Sequence, residues 1–137
     1  MKYVLDSSVA LKWVLPEPDS PQANRLREDF SNSVHELIAP DVFPVETAHA
    51  LTRAERQRRL PVGDSLVLLA DILSTCPRLH SYLSLLDRAA EISSHARIGV
   101  YDCLYIALAE QESCELVTAD DRLTRLIGAP CIALSSI

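Results

Sequence analysis

Short apolar runs alternate with helical patterns along this chain. Residues 3–5, 37–39 and 116–118 form three such runs, and further runs occur at 79–83 and 131–134. Runs of this length predict buried strands, whereas apolar residues at i, i+3, i+4 and i+7 predict amphipathic helices. Strands that alternate with helices indicate an α/β domain with a mainly parallel central sheet flanked by helices. The Pro-rich segment 16–22 is predicted to end the first helix.

Acidic residues stand where these patterns change. Asp6 directly follows the first predicted strand, and Glu46 lies about one turn into the helix after Pro40. Asp102 lies in the first turn of a later helix, and Asp120 follows the run at 116–118 and opens a short helix. In an open parallel sheet the carboxyl ends of the strands share one edge, where ligands bind. We therefore expect the four carboxylates to converge.

Converging carboxylates favour a hard divalent cation such as Mg²⁺ or Mn²⁺, which prefers oxygen ligands. Zinc is disfavoured, because its sites normally need nitrogen or sulfur ligands and no suitable His or Cys is spaced nearby. One or two such ions would support phosphodiester hydrolysis by an activated water. Without metal, repulsion between like charges is expected to raise some of the carboxyl pKa values, so metal binding should depend on pH.

For any single acid a structural role is the simpler interpretation, because Asp caps helices and acids in a first turn complement the helix dipole. The prediction depends on the four acids together. Three hydroxyl side chains lie within two residues of a proposed ligand: Ser7, Ser8 and Thr118. They are predicted to hydrogen-bond the carboxylates or a metal-bound water, with ordinary capping as the alternative. Asp121 is predicted to lie beside the site as a solvated neighbour of Asp120.

Bulk composition argues at first against a nucleic-acid partner. The net charge is −6, and aromatic residues make up only 5% of the chain, which predicts no aromatic platform for stacking bases. Bound cations would make the acidic site attractive to phosphate. Two arginine groups are candidate RNA contacts, with a solvated helix end as the alternative for the first: Arg53, Arg56, Arg58 and Arg59, then Arg122 and Arg125.

The chain has 137 residues and only three glycines, and no linker divides it, so we expect one domain over residues 1–137. No apolar stretch is long enough to span a bilayer, and no signal peptide is visible. The four cysteines form no C-x-x-C pair and are interpreted as reduced thiols of a cytoplasmic protein.

Four segments resemble those of the PIN-domain ribonucleases, in the order and spacing of that family: VLDSSVALKWVLPE, PDVFPVETAHAL, YDCLYIALAEQ and LVTADDRL. Within the family, the resemblance is to the VapC-type toxins of bacterial and archaeal toxin–antitoxin pairs. It implies a three-layer, Rossmann-like PIN fold and a Mg²⁺- or Mn²⁺-dependent endoribonuclease. The acidic site so implied comprises Asp6, Glu46, Asp102 and Asp120, and Ser8 and Thr118 match polar positions near it. The acidic doublet at residues 120–121 departs from the simplest family pattern. Asp120 is favoured as the fourth acid of the site because of its position after Thr118.

The resemblance also implies a homodimer and a VapB-like antitoxin whose carboxyl-terminal segment would cover the active site through a basic side chain. Two alternatives keep the PIN fold: a solitary RNA-processing nuclease and a non-catalytic interaction module. A phosphatase or phospho-acceptor with Asp6 as nucleophile would need different residues to accompany Asp6. Ser8 stands where a haloacid-dehalogenase-like phosphatase needs an acid, and the only lysines, Lys2 and Lys12, do not suit a response-regulator receiver. Because water is the expected nucleophile, the expected products carry a 5′-phosphate and a 3′-hydroxyl.

Overall fold

The computed structural model describes residues 1–126 and 128–137. Its strands form one parallel sheet: β1 (Lys2–Leu5), β2 (Glu36–Pro40), β3 (Arg78–His80), β4 (Glu115–Thr118) and β5 (Cys131–Ala133). Their order across the sheet is β3-β2-β1-β4-β5, and each neighbouring pair is parallel. Strands β2 and β3 lie on one side of β1, and the later strands β4 and β5 lie on its other side. The gap between β1 and β4 is therefore the topological switch point, where open α/β sheets bind ligands.

Helices flank this sheet, which confirms the predicted α/β class. They are α1 (Ser7–Leu11), α2 (Ser20–Ser31), α3 (Phe43–Arg56), α4 (Asp64–Leu73), α5 (Leu86–Ala96), α6 (Val100–Gln111) and α7 (Asp121–Thr124), with 3-10 turns at Leu83–Leu85 and Leu134–Ser136. In the part of the chain that the structure describes, none of the helices has the length and apolar character needed to cross a membrane. The four cysteines are free thiols, as expected.

Helix α6 is the centre of the core. Residues 103–109 are all buried, and the helix packs against β1, β2 and β4 on one side and α5 on another. A helix that is apolar around most of its circumference is typical of such a fully covered position. Its first turn holds Asp102, so the packing of α6 on the sheet fixes where that carboxylate lies.

Four element boundaries differ from the sequence-based expectation. Helix α1 ends at Leu11, before the segment 16–22, because the chain turns there and the Trp13 indole Nε1 donates to the Ala23 carbonyl at 2.9 Å. Helix α2 begins at Ser20, inside that segment, and accommodates Pro21 in its first turn, where no amide donor is needed. Strands β3 and β5 are shorter than predicted, since each is followed by a 3-10 turn.

Leu5→Ala is expected to destabilise the protein by about 2–5 kcal/mol, because Leu5 is fully buried in the central strand and its truncation leaves a cavity. Leu66→Ala serves as the matched control, since Leu66 on α4 is 73% exposed and should change stability by less than about 0.5 kcal/mol. Urea unfolding in the presence of EDTA measures both. Equal losses in the two variants would contradict the placement of β1 in the core.

Candidate active site

Asp6 lies directly after β1 and is 5% exposed. Its Oδ2 accepts hydrogen bonds from Thr118 Oγ1 at 2.6 Å and from Ser8 Oγ at 2.8 Å. Its backbone amide donates to the Val117 carbonyl at 3.1 Å. These bonds join the ends of β1 and β4, so the Asp6 carboxylate is held at the switch point of the sheet.

Burial is the main influence on the charge state of Asp6. Loss of hydration raises its pKa, the hydroxyl hydrogen bonds from Thr118 and Ser8 oppose the rise, and the nearby charge of Asp120 adds to it. The pKa of Asp6 is raised overall. A buried carboxylate with two hydroxyl donors and a raised pKa is a typical feature of a functional site.

Glu46 reaches the same site from the first turn of α3. Tyr105 of α6 is 1% exposed, and its Oη donates to Glu46 Oε1 at 2.6 Å. Burial raises the pKa of Glu46 to about 7, the charges of Asp6 and Asp102 contribute to the rise, and the Tyr105 hydrogen bond opposes it. Burial and the charge of Glu46 in turn raise the pKa of Tyr105. Tyr105 is a site residue that the sequence pattern did not identify, because its spacing marks it only as an apolar position of α6.

Asp102 and Asp120 share one cation, the guanidinium of Arg122. Arg122 Nη2 lies 2.7 Å from Asp120 Oδ2 and 3.7 Å from Asp102 Oδ2. Asp120 also caps α7, where its Oδ1 accepts from the Arg122 amide at 2.9 Å. The Arg122 side chain lowers the pKa of Asp120, whereas burial and the charges of Asp6 and Asp120 raise the pKa of Asp102. Arg122 therefore acts as a counter-ion within the site.

The structure thus brings the four predicted acids close together, and the pKa values of Asp6, Glu46 and Asp102 are each raised in part by the charge of at least one other acid. The expected rise in some carboxyl pKa values is confirmed for Asp6, Glu46 and Asp102, with burial as its largest cause. The pKa of Asp120 is instead lowered, because the Arg122 side chain bonds its carboxylate. Among the described residues, no three His, Cys, Asp or Glu side chains are positioned together as a ready metal site.

The donor set nevertheless fits a hard divalent cation. All four groups offer carboxylate oxygens, the ligands that such cations prefer. Asp6 is fixed by its hydroxyl partners, whereas the Glu46 carboxylate is held by Tyr105 and that of Asp120 by Arg122. A shared cation would therefore require Asp120 to exchange the guanidinium for the ion.

The neighbouring hydroxyls take different roles. Ser8 and Thr118 bond Asp6 as predicted, and they also accept from the amides of Ala119 at 3.2 Å and Asp120 at 3.0 Å respectively. These hydrogen bonds connect the end of β4 and the loop after it to α1. Ser7 instead lines a neighbouring cavity. Asp121 is exposed as the first residue of α7, which matches the expected solvated neighbour of Asp120.

Two cavities adjoin the acids. One, of about 280 Å³, is lined by Ser8, Arg59 and Asp120 among others, and the other, of about 550 Å³, is lined by Ser7 and Glu46 among others. Ala50 of α3 lines both, so they meet along that helix. The candidate RNA contacts are exposed side chains: Arg53, Arg56, Arg58, Arg59, Arg122 and Arg125. Arg59, which follows the end of α3, lines the cavity that contains Asp120.

Comparison with known proteins identifies the class. The model of the PIN domain family matches residues 3–128. Ribonuclease VapC3 of Pyrobaculum aerophilum is 30% identical over 131 residues, which cover 94% of this chain and 97% of that protein. Ribonuclease VapC9 of Mycobacterium tuberculosis is 32% identical over 128 residues, or 93% of each chain. The crystal structure of VapBC2 from Rickettsia felis bound to a DNA fragment from its promoter matches with a TM-score of 0.70 at 15% identity, covering 97% of this chain and 98% of that chain.

The chain belongs to the PIN-domain family, and its relatives within that family are VapC ribonucleases. The resemblance noted in the four sequence segments is therefore confirmed, and so is the three-layer PIN fold that it implied. PIN-domain ribonucleases are generally dependent on divalent metal ions, which agrees with the oxygen-only donor set at the switch point.

Glu46→Gln is expected to stabilise the metal-free protein above about pH 7 and to flatten its pH dependence. The pKa of Glu46 in the fold is about 7, above the value of 4.5 of an unperturbed glutamate, so its neutral form is favoured by folding. The stability that Glu46 contributes is therefore complete below pH 4.5 and lost as the pH rises through about 7.

Urea unfolding in EDTA at pH values of about 5 and about 8 measures this effect, with exposed Glu28→Gln as the matched control. The gap in stability between the two pH values should narrow in Glu46→Gln and persist in Glu28→Gln. Parallel pH profiles for wild type and Glu46→Gln would contradict the raised pKa.

Proposed function

We propose that the protein is a metal-dependent endoribonuclease that acts as the toxin of a VapBC-type toxin–antitoxin pair. The observation that carries the proposal is the buried Asp6 carboxylate, which Thr118 and Ser8 hold at the switch point of a PIN fold and which lies close enough to three further acids to interact with their charges. Two relatives that align with more than nine-tenths of this chain are named VapC ribonucleases, which supports the same activity. We assign residues 1–137 to a single PIN domain.

The four acids are proposed to hold one or two Mg²⁺ or Mn²⁺ ions. When bound, such ions favour deprotonation of the attacking water and offset charge that develops on the phosphodiester. Asp6 supplies the fixed point of the site, because its hydrogen bonds and burial leave it little freedom. Tyr105 donates to Glu46 Oε1 and so restricts the orientation of that carboxylate.

Arg122 is proposed to change partners during RNA binding. Its side chain is 69% exposed, and exposed ion pairs of this kind contribute little stability, so exchange costs little. With a cation on the carboxylates, the guanidinium is released to contact an RNA phosphate. Arg59, at the cavity beside Asp120, supplies a second phosphate contact, and the other exposed arginines extend the basic surface.

The acidic site also suits a protein inhibitor. It has four carboxylates, and Arg122 pairs with two of them, Asp102 and Asp120, so a basic side chain from a VapB-like antitoxin would meet complementary charge there. The Rickettsia felis relative of known structure is a VapBC assembly, which supports a partner of this kind. We further propose a homodimer in the cytoplasm, where RNA and antitoxin are both available.

Purified protein is expected to cut total bacterial RNA with Mg²⁺ or Mn²⁺, to lose this activity in EDTA, and to leave 5′-phosphate and 3′-hydroxyl ends. Asp6→Asn should abolish cleavage while keeping the fold, because Asn is nearly isosteric and its amide oxygen can still accept from Thr118 and Ser8. Gel analysis with mapping of the product ends, alongside circular dichroism of the variant, provides the measurement. Products with a 2′,3′-cyclic phosphate would contradict attack by water.

The variants Asp120→Asn and Asp121→Asn test which acid of the 120–121 doublet belongs to the active site. Arg122 forms ion pairs with both Asp120 and Asp102, whereas Asp121 is exposed on α7. We expect Asp120→Asn to lower kcat/KM by about two orders of magnitude, the scale typical of removing a group that stabilises developing charge. Asp121→Asn should stay within a few-fold of wild type. The reverse ranking would show that Asp121 is the fourth acid.

A further inference from the structure

The 550 Å³ cavity beside Glu46 has a composition that the acidic site does not explain. Its walls are Ser7 of α1, the α3 residues Val45, Glu46, His49 and Ala50, and Tyr101 of α6. Val45 is 71% exposed and Tyr101 is 58% exposed. The residues that line this open cavity thus include two with rings, Tyr101 and His49, and one carboxylate, that of Glu46.

This cavity is continuous with the proposed catalytic acids. Ser7 follows Asp6 in the chain, Tyr101 precedes Asp102, and Glu46 itself forms part of the wall. A group bound there would lie next to the phosphodiester that the acids surround. On an RNA substrate, the group adjacent to a phosphodiester is a nucleoside.

The chemistry of the walls suits a nucleobase. Single-stranded RNA is recognised by splaying out unstacked bases onto aromatic side chains, with hydrogen bonds to their edges. A base is planar and uncharged, whereas a basic side chain is attracted to the carboxylates themselves. The Tyr101 ring offers a stacking face, the His49 imidazole offers a donor or an acceptor, and Val45 adds apolar contact.

We propose that the cavity formed by Ser7, Val45, Glu46, His49, Ala50 and Tyr101 is a nucleobase subsite that stacks one base of the RNA next to the scissile phosphate. The inference depends on the proposed ribonuclease function. The low aromatic content of the chain predicted no stacking platform, and that expectation is revised here because the fold brings two distant rings to one cavity. Tyr101 and His49 are thus specificity and positioning residues.

Binding of a short randomised single-stranded RNA that carries 2-aminopurine tests the subsite without relying on cleavage. The protein is used in the Asp6→Asn background, which is expected to bind without cutting. Adding Tyr101→Ala should weaken binding roughly 5- to 150-fold and reduce the quenching of 2-aminopurine, because stacking on one aromatic ring is lost. Tyr101→Phe should keep the RNA affinity and the 2-aminopurine quenching of the parent protein, since the aromatic ring remains.

Tyr82→Ala is the matched control, because Tyr82 is also partly exposed, at 38%, but does not line the cavity. Binding and quenching that are equal in Tyr101→Ala and Tyr82→Ala would overturn the subsite. So would a Tyr101→Ala variant that binds RNA normally but has lost affinity for a co-expressed antitoxin, since the cavity would then belong to the protein partner.

Sequencing of the ends produced from a randomised RNA pool separates this inference from the proposed function. With Asp6 present, wild type should show a base preference at one position beside the cut, and His49→Ala and Tyr101→Ala should relax it. An active enzyme with an unchanged preference in both variants would overturn the subsite and leave the nuclease intact. Tyrosine-dependent binding by a protein that cuts no RNA would contradict the nuclease and support the subsite.

Discussion

The two hydroxyl hydrogen bonds that hold the buried Asp6 carboxylate are the interactions on which the rest of the site depends. Burying a carboxylate is costly unless its oxygens are bonded, and here Thr118 at 2.6 Å and Ser8 at 2.8 Å supply the donors. Thr118 ends β4 and Ser8 belongs to α1, so the same bonds join the strands on either side of the switch point. The position of Asp6 is thus set by the architecture of the sheet.

Around this fixed carboxylate, the other acids are held by side chains that offset part of their repulsion. Tyr105 donates to Glu46, and Arg122 lies between Asp102 and Asp120. Burial, and to a smaller extent the neighbouring acids, raise the pKa values of Asp6, Glu46 and Asp102, so ionisation of these carboxyls lowers the stability of the metal-free protein. A bound cation would remove that cost, which couples ion binding to stability.

Much of this arrangement could be predicted from the sequence, because Asp6, Glu46, Asp102 and Asp120 each stand where a strand pattern gives way to a helix, and parallel strands end on one edge. The partners of these acids could not be predicted. The helical period places Tyr105 in the core but does not reveal that its hydroxyl reaches a residue 59 positions away. The pairing of Arg122 with two acids depends likewise on how α7 approaches α6. The end of α1 at Leu11 could not be predicted either, because the Trp13 indole bonds to the Ala23 carbonyl, ten residues further along the chain.

Calorimetric titration of Mn²⁺ into the metal-free protein tests most directly whether the four carboxylates act as one cation site. We expect wild type to bind the ion more weakly as the pH falls below about 7, the pKa of Glu46, because the protonated carboxyl cannot act as a ligand. Binding should be lost in Asp6→Asn and kept in Asp121→Asn. Affinity that is independent of pH and survives both Asp6→Asn and Asp120→Asn would contradict a shared site at the switch point of the sheet.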